Sequence, residues 1–416
     1  MSTSYDPYKM LEFILEDILS AIKPSQEDWL ARFHVINEFR AVVESVESLR
    51  GATVEPFGSF VSRLYSKWSD LDISVEVPSE SSVPNFGKRR KLNLLKDIRQ
   101  ALKKRGDAHN LQFIPNARVP LLIYERNHNH QNISCDISIN NLQGEIKSKF
   151  LLWITRIDDR FHDMVLLVKE WAKAQNINDP KTGTLNSYSL CLLVIFHLQT
   201  CVPAILPPLM EIYAGNLVDD FTGESITTER RIQDTCDANI ERFSSRSLRR
   251  VVNRSSLSEL FVTFFEKIED PFEQSDNAAR AVSMIQLTKI SDAFEVTHHR
   301  LISANHDKSS LIASLIRPQI RSKLIERTSQ ENSSSRRGHY LGSHPPRAAA
   351  VPSPSLNQFQ NNPQEARPSI ILPHNQFQVK PQEAHPSSIA AQRTRQAFRG
   401  QGRMEWRPRG TTDNGF

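Results

Sequence analysis

Between Tyr8 and Ser20 apolar side chains recur at helical spacing, at Met10, Phe13, Ile14 and Ile18. A second amphipathic run, Trp29 to Val46, follows the Pro24-Ser25 start signal. Two opening helices are expected over residues 1–49, packing on a helical domain further along. The period then changes. ATVEPFGSF reads as a short strand running into a glycine turn, with a helix-like stretch from Val61 to Lys67, and DLDISVEV alternates strictly. Leu71, Ile73, Val75 and Val77 share one face of that strand, and Asp70, Asp72, Ser74 and Glu76 share the other. A basic helix from Lys88 to Lys104 and two more strands, VPLLIYE and ISCDISI, complete an α+β unit over residues 50–145. From residue 146 to about 325 the periodic segments, among them FHDMVLLVKEWAKAQ and SYSLCLLVIFHLQ, are helical, so a second, all-helical domain is expected.

Composition changes this picture at one end. The chain carries 52 Lys+Arg against 47 Asp+Glu, but residues 331–416 hold 11 and 5 of these, so the body is close to neutral and the net basicity sits in the tail. That tail also holds 10 of the 23 prolines and too few large apolar residues to build a core, so residues 326–416 are expected to be disordered. Four cysteines without a Cys-x-x-Cys pair argue against a disulfide framework and a structural zinc site, and point to a reducing compartment. The first residues lack the order of a secretory signal, and Leu190 to Leu198 is too short to span a bilayer, so no membrane association is expected.

The candidate chemistry begins with Asp70 and Asp72, fixed side by side on one strand face. In ISCDISI, the residues Ile133, Cys135, Ile137 and Ile139 face a core, which turns Asp136 the other way, where it can join the pair. Three ionised carboxylates at one point repel unless cations neutralise them, which is work for hard divalent ions in a two-metal phosphoryl-transfer centre. Separated from Asp70 by ten residues, the Gly58-Ser59 turn can offer N–H groups and a hydroxyl to a phosphate. Lys169 and Lys173 share a helix face, either as a solvated surface or as a phosphate clamp. Asn186 and Ser187 open an apolar helix where an anion is favoured, and Tyr188 is either a core aromatic or a platform for a base.

Taken together, GSFVSRLYSKWSDLDIS, CDISINN, LVKEWAK, GTLNSYSL and EDPFEQSDNAAR resemble the template-independent RNA nucleotidyltransferases related to poly(A) polymerases and terminal uridylyltransferases. The wording is most like the plant terminal uridylyltransferases that tail unmethylated small RNAs. The resemblance spans about residues 10–320. It implies a polymerase-β-like catalytic domain with a helical domain of the poly(A)-polymerase-associated type, and a transfer of uridylate from UTP to RNA 3′ ends. Asp70, Asp72 and Asp136 would hold Mg²⁺, or Mn²⁺ in its place. Gly58, Ser59, Lys169, Lys173 and Ser187 would meet the triphosphate, and Tyr188 would stack on the base. Asp270, Glu273, Asp276 and Asn277 would line the nucleotide pocket. Single-stranded RNA 3′ ends, UTP and small-RNA effector complex proteins are the implied partners, in cytoplasm and nucleus.

Three departures from the family pattern stand out. Asp276 occupies a place where uridylyltransferases often carry a histidine, Lys147 stands near where relatives have a ribose-binding asparagine, and FVTFFEKI runs straight into EDPFEQ without an intervening segment. An adenylyltransferase and a catalytically impaired RNA-binding isoform are therefore the rival readings.

Overall fold

In the computed structural model of the 416-residue chain, residues 7–78, 87–106, 108–128, 131–217, 220, 226–247, 252–266, 282–303 and 307–325 are described. All of them belong to one compact unit. The two opening helices form as expected, α1 over Pro7–Ile22 and α2 over Gln26–Glu44. Pro24 ends the first, and Ser25 starts the second through a reciprocal cap, in which its hydroxyl accepts from Asp28 N–H while Asp28 accepts from Ser25 N–H.

Their packing corrects the expectation that both lie on the helical domain. Only α1 does so, through Leu11, Ile14, Leu15 and Ile18, whereas α2 packs Val35, Ile36, Phe39 and Val43 against the sheet. An apolar stripe shows that a helix face is buried, but the stripe is equally satisfied by a sheet or by other helices.

The sheet has five strands in the order β1-β2-β5-β4-β3, formed by Thr53–Phe57, Leu71–Glu76, His109–Ile114, Leu121–His128 and Gln131–Ile139 for β1 to β5. β3 has no clean alternation, and the periodicity did not mark it. Its backbone is recruited by antiparallel pairing with β4. Strands β2 and β5 run parallel at the centre, and every other pair is antiparallel. One sheet face, carrying Leu71, Ile73, Val75, Ile137 and Ile139, is sealed by α2 and by α4 (Lys88–Arg105). In place of the helix expected over Val61 to Lys67 there is a single turn, α3 (Gly58–Val61), which begins at the glycine itself.

Helix α5 (Leu142–Thr155) leads from the sheet into a second core built on α6 (Asp159–Ala174) and α7 (Ser187–Thr200). Further helices span Ile226–Ser247, Leu257–Glu266, Met284–Ile302 and Lys308–Leu315. Trp171 is fully buried there, edge-on to Phe265 and Phe294, and its indole N–H donates to Thr297 Oγ1 at 2.9 Å. Among the described residues no helix is long and apolar enough to cross a membrane. The expected tail, residues 326–416, lies outside the described residues.

Candidate active site

The parallel pairing of β2 with β5 sets Asp72 directly opposite Asp136. Both side chains leave the sheet on the face away from the α2–α4 core, because their neighbours Leu71, Ile73, Cys135 and Ile137 are fully buried in it. Asp70 precedes β2 by one residue and adds a third carboxylate close enough to act on both. Asp72 is pushed up to about 7, first by burial and then by the charges of Asp136 and Asp70. Asp136 is pushed up to about 6 by burial and by Asp70, with Lys181 pulling the other way.

The donor set is all oxygen, anionic and crowded, and it fits hard divalent cations. Among the described residues no three acidic, His or Cys side chains form a closed metal cage as they stand. Like charges crowded in this way resist closing on one point.

The phosphate turn is arranged differently from the expected open cradle. Gly58 N–H donates to Ser148 Oγ at 2.6 Å, and Ser59 N–H donates to the Asp72 carboxylate. Both amides are thus committed to holding the aspartate and α5 in place, and the Ser59 hydroxyl is the group the turn can still offer. Gly58 has φ +68°, and a Cβ added to it would come 2.7 Å from Asp72 Cγ. Glycine is required here twice, for the left-handed backbone and for the close approach of the carboxylate.

Lys169 is neither a solvated residue nor an open clamp. It is buried, its Nζ donates to Leu64 O at 2.8 Å, and its charge lowers the pKa of Asp72. Burial in turn pulls Lys169 below the usual lysine range. Lys173, one turn on, is brought down to about 8 by burial, then by Lys169 and Arg317. Arg317 is itself held by a two-pronged pair with the buried Glu170, at 2.9 Å from each prong.

Ser187 donates to Asn178 Oδ1 at 3.3 Å at the start of α7, where Asn186 caps Ser189 N–H. Tyr188 packs partly against the helical core, and burial lifts its phenol to about 12. Lys147 on α5 is exposed, and its Nζ lies 4.9 Å from the Tyr188 ring centroid, so a base stacking on that ring shares it with a cation. Asp270, Glu273, Asp276 and Asn277, and the junction where a family segment is absent, lie outside the described residues.

Motif reading missed four residues around the site. Arg32, 1% exposed, donates to the carbonyls of Lys67 and Ser69 at 2.8 and 3.0 Å and so fixes the segment that carries Asp70. Ser148 ties α5 to the turn, Lys181 acts on Asp136, and Arg317 joins the lysines. A buried arginine leaves no local signal, and Arg317 lies 147 residues from its partner. The Pro-Lys-Thr-Gly turn that carries Lys181 was the only readable hint.

The carboxylates yield a prediction that needs no substrate. Because the folded Asp72 and Asp136 titrate near 7 and 6, above the unfolded value of about 3.9, folding favours their protonated forms. Their contribution is complete below about pH 4 and is lost as pH rises through 6 to 7. In chelator, the melting temperature is expected to fall by about 5 °C between pH 5 and pH 8, and added divalent ion is expected to recover it at pH 8. A flat profile in calorimetry would show that the carboxylates are not crowded.

Residues 11–156 match the model of the family described as the central palm domain of mitochondrial-like poly(A) RNA polymerases. Protein HESO1 of Arabidopsis thaliana is 49% identical over 351 residues, which cover 76% of this chain and 68% of HESO1. Terminal uridylyltransferase cid1 of Schizosaccharomyces pombe is 27% identical over 211 residues, about half of each chain. The mitochondrial poly(A) RNA polymerase of Drosophila melanogaster is 29% identical over 59% of this chain, which spans 42% of its length. A crystal structure of the Cid1 poly(U) polymerase superposes with a TM-score of 0.56 at 23% identity, covering 73% of this chain and 99% of that one, a likeness of fold. With almost half of 351 residues shared with HESO1 and a palm carrying Asp72 opposite Asp136, the chain belongs to the template-independent RNA nucleotidyltransferases of the terminal uridylyltransferase type.

Proposed function

We propose that the protein adds uridylate from UTP to the 3′ ends of single-stranded RNA, and that small RNAs and RNA fragments marked for decay are its substrates. The observation that carries this reading is the Asp72–Asp136 pair, set opposite each other by parallel register beside a glycine turn that a side chain would strain and crowd. Affiliation with the uridylyltransferase type supports UTP over ATP.

In the reaction the RNA 3′ oxygen bonds to the α-phosphorus of UTP, and the bond to the β-phosphate oxygen breaks, releasing pyrophosphate. Asp136, pushed up to about 6 by burial and by Asp70, would accept a hydrogen bond from the attacking hydroxyl and take its proton. Lys173, lowered to about 8 beside Lys169 and Arg317, offers a partly desolvated cation to the triphosphate. Ser187 would donate to the triphosphate by turning its hydroxyl away from Asn178 Oδ1, and Tyr188 would give the base a face on which to stack. Asp70, Asp72 and Asp136 would hold Mg²⁺, or Mn²⁺, which when bound neutralises charge on the triphosphate and leaving group. The cytoplasm and nucleus, with small-RNA effector proteins as partners, are the setting we assign to this activity.

The test is an incubation of the purified chain with a short single-stranded RNA and each of the four nucleoside triphosphates, followed by sequencing of the product ends. Uridylate tails are expected. Adenylate tails of equal or greater yield would replace this reading with the poly(A)-forming one, and the absence of any extension would leave an RNA-binding protein without transferase activity.

A further inference from the structure

Helix α4 contains nine Lys or Arg and one acidic residue, Asp97, in 18 positions, and this basic excess is offset by acidic residues elsewhere in a body that is close to neutral as a whole. Its apolar side, Leu94, Leu95, Ile98 and Leu102, is buried on the sheet. Its outer side carries Arg89, Asn93, Lys96, Gln100 and Lys103, all exposed and three or four residues apart, which aligns them in one stripe. Lys104 is exposed beside it. At 1.5 Å per residue the stripe from Arg89 to Lys103 is about 21 Å long. Arg89, Lys96, Lys103 and Lys104 have no carboxylate partner among the described residues, while Asp97 is occupied by the Ser48 hydroxyl at 2.7 Å.

We infer that this stripe is a docking track for the phosphate backbone of the RNA upstream of its reacting 3′ end, a proposal that rests on RNA being the substrate. Three observations favour RNA over a protein partner. No large apolar side chain is exposed anywhere on α4, whereas a protein interface needs an apolar or aromatic centre. The spacers between the cations are amides, Asn93 and Gln100, which suit hydrogen bonds to phosphate and sugar oxygens. The geometry also gives a route between track and site. α4 lies on the sheet face opposite the aspartates, and at its N-terminal end Lys91 Nζ donates to Asn140 O at 3.1 Å. Asn140 is four residues beyond Asp136, about 13 Å along an extended strand. RNA leaving the site around that end of the sheet would reach Arg89 first and Lys103 last. The track therefore engages only RNAs long enough to pass from one sheet face to the other, and it makes the enzyme sensitive to substrate length without touching the chemistry.

The test uses the full chain with Arg89→Gln, Lys96→Gln, Lys103→Gln and Lys104→Gln combined, all at exposed positions away from the catalytic groups. Binding of labelled single-stranded RNAs of about 8 and about 40 nucleotides is measured against salt, with tailing of the short RNA as a separate readout. For the long RNA the variant is expected to bind about 10-fold more weakly near 0.1 M salt, with its slope of log K against log salt flatter by about 2 to 3. Binding and tailing of the short RNA are expected to match those of the unaltered chain. An unchanged affinity and slope for the long RNA would overturn the track and leave this face to an acidic protein. A failure of the unaltered chain to extend any RNA would instead overturn the transferase reading, and the two binding curves would still decide whether α4 holds RNA.

Discussion

Replacing Asp72 by Ala is expected to lower tailing by about 10³-fold or more while leaving the fold intact and the metal-free protein more stable at pH 8. The two effects share a cause. Asp72 is buried beside Asp136 and Asp70, and desolvation and like charge oppose its ionised form and push it up to about 7. Removing it relieves that repulsion, so the melting temperature in chelator is expected to rise. The same change takes away the carboxylate that stands opposite Asp136 and accepts the Ser59 N–H, so the site loses its central anion and the anchor of its turn. Single-turnover extension of a short RNA with UTP measures the first effect, and calorimetry in chelator measures the second. Tailing retained to within a few fold in the folded variant would remove the carboxylates from the mechanism. A lower melting temperature at pH 8 would show that Asp72 is stabilised, not strained, by its surroundings.

Gly58→Ala is expected to be nearly as damaging to activity, by about 10²-fold or more, although it adds one methyl group. The new Cβ would press on the Asp72 carboxylate, and the residue would have to hold φ +68°, which costs an L-amino acid about 1–2 kcal/mol. Either the turn opens, breaking the Gly58 N–H bond to Ser148, or Asp72 swings away from Asp136. A stability cycle with Asp72→Ala separates the two costs. In that background the overlap with the carboxyl group has gone and only the 3.0 Å approach to the Cβ of residue 72 remains, so Gly58→Ala should cost little beyond its backbone penalty, and the coupling between the two changes should exceed about 1 kcal/mol. Additive effects in chemical denaturation would mean that the glycine serves the turn alone and that the carboxylate does not lean on it.

Much of this site was legible along the chain because the strand period is a local property. Alternation in DLDISVEV and ISCDISI fixed which side chains enter the core, and by exclusion which carboxylates leave it. The same local logic located α1, α2 and α4, since Pro24, Ser25 and the apolar stripes act within a few residues. The Gly58-Ser59 turn was readable as a turn, but its use was not. Whether its amides face a phosphate or brace an aspartate depends on Ser148, which lies 90 residues from Gly58.

Lys169 shows the limit most clearly. Helical spacing placed it beside Lys173 on one face, and only the packing of α6 decided that one of the pair would be buried against Leu64 O and the other left at the rim. The sequence by itself determined most of the elements, β3 and the short turn α3 excepted, together with the acid row, the basic character of α4 and the family. Register, burial and partnership across long separations were decided by the tertiary structure. They set Asp72 opposite Asp136, placed Arg32 beneath the segment carrying Asp70, brought Arg317 to Glu170 and divided α1 from α2 between two cores. The physical reason is that periodicity records only whether a side chain is sheltered from water, whereas what shelters it is chosen by the packing of the whole chain.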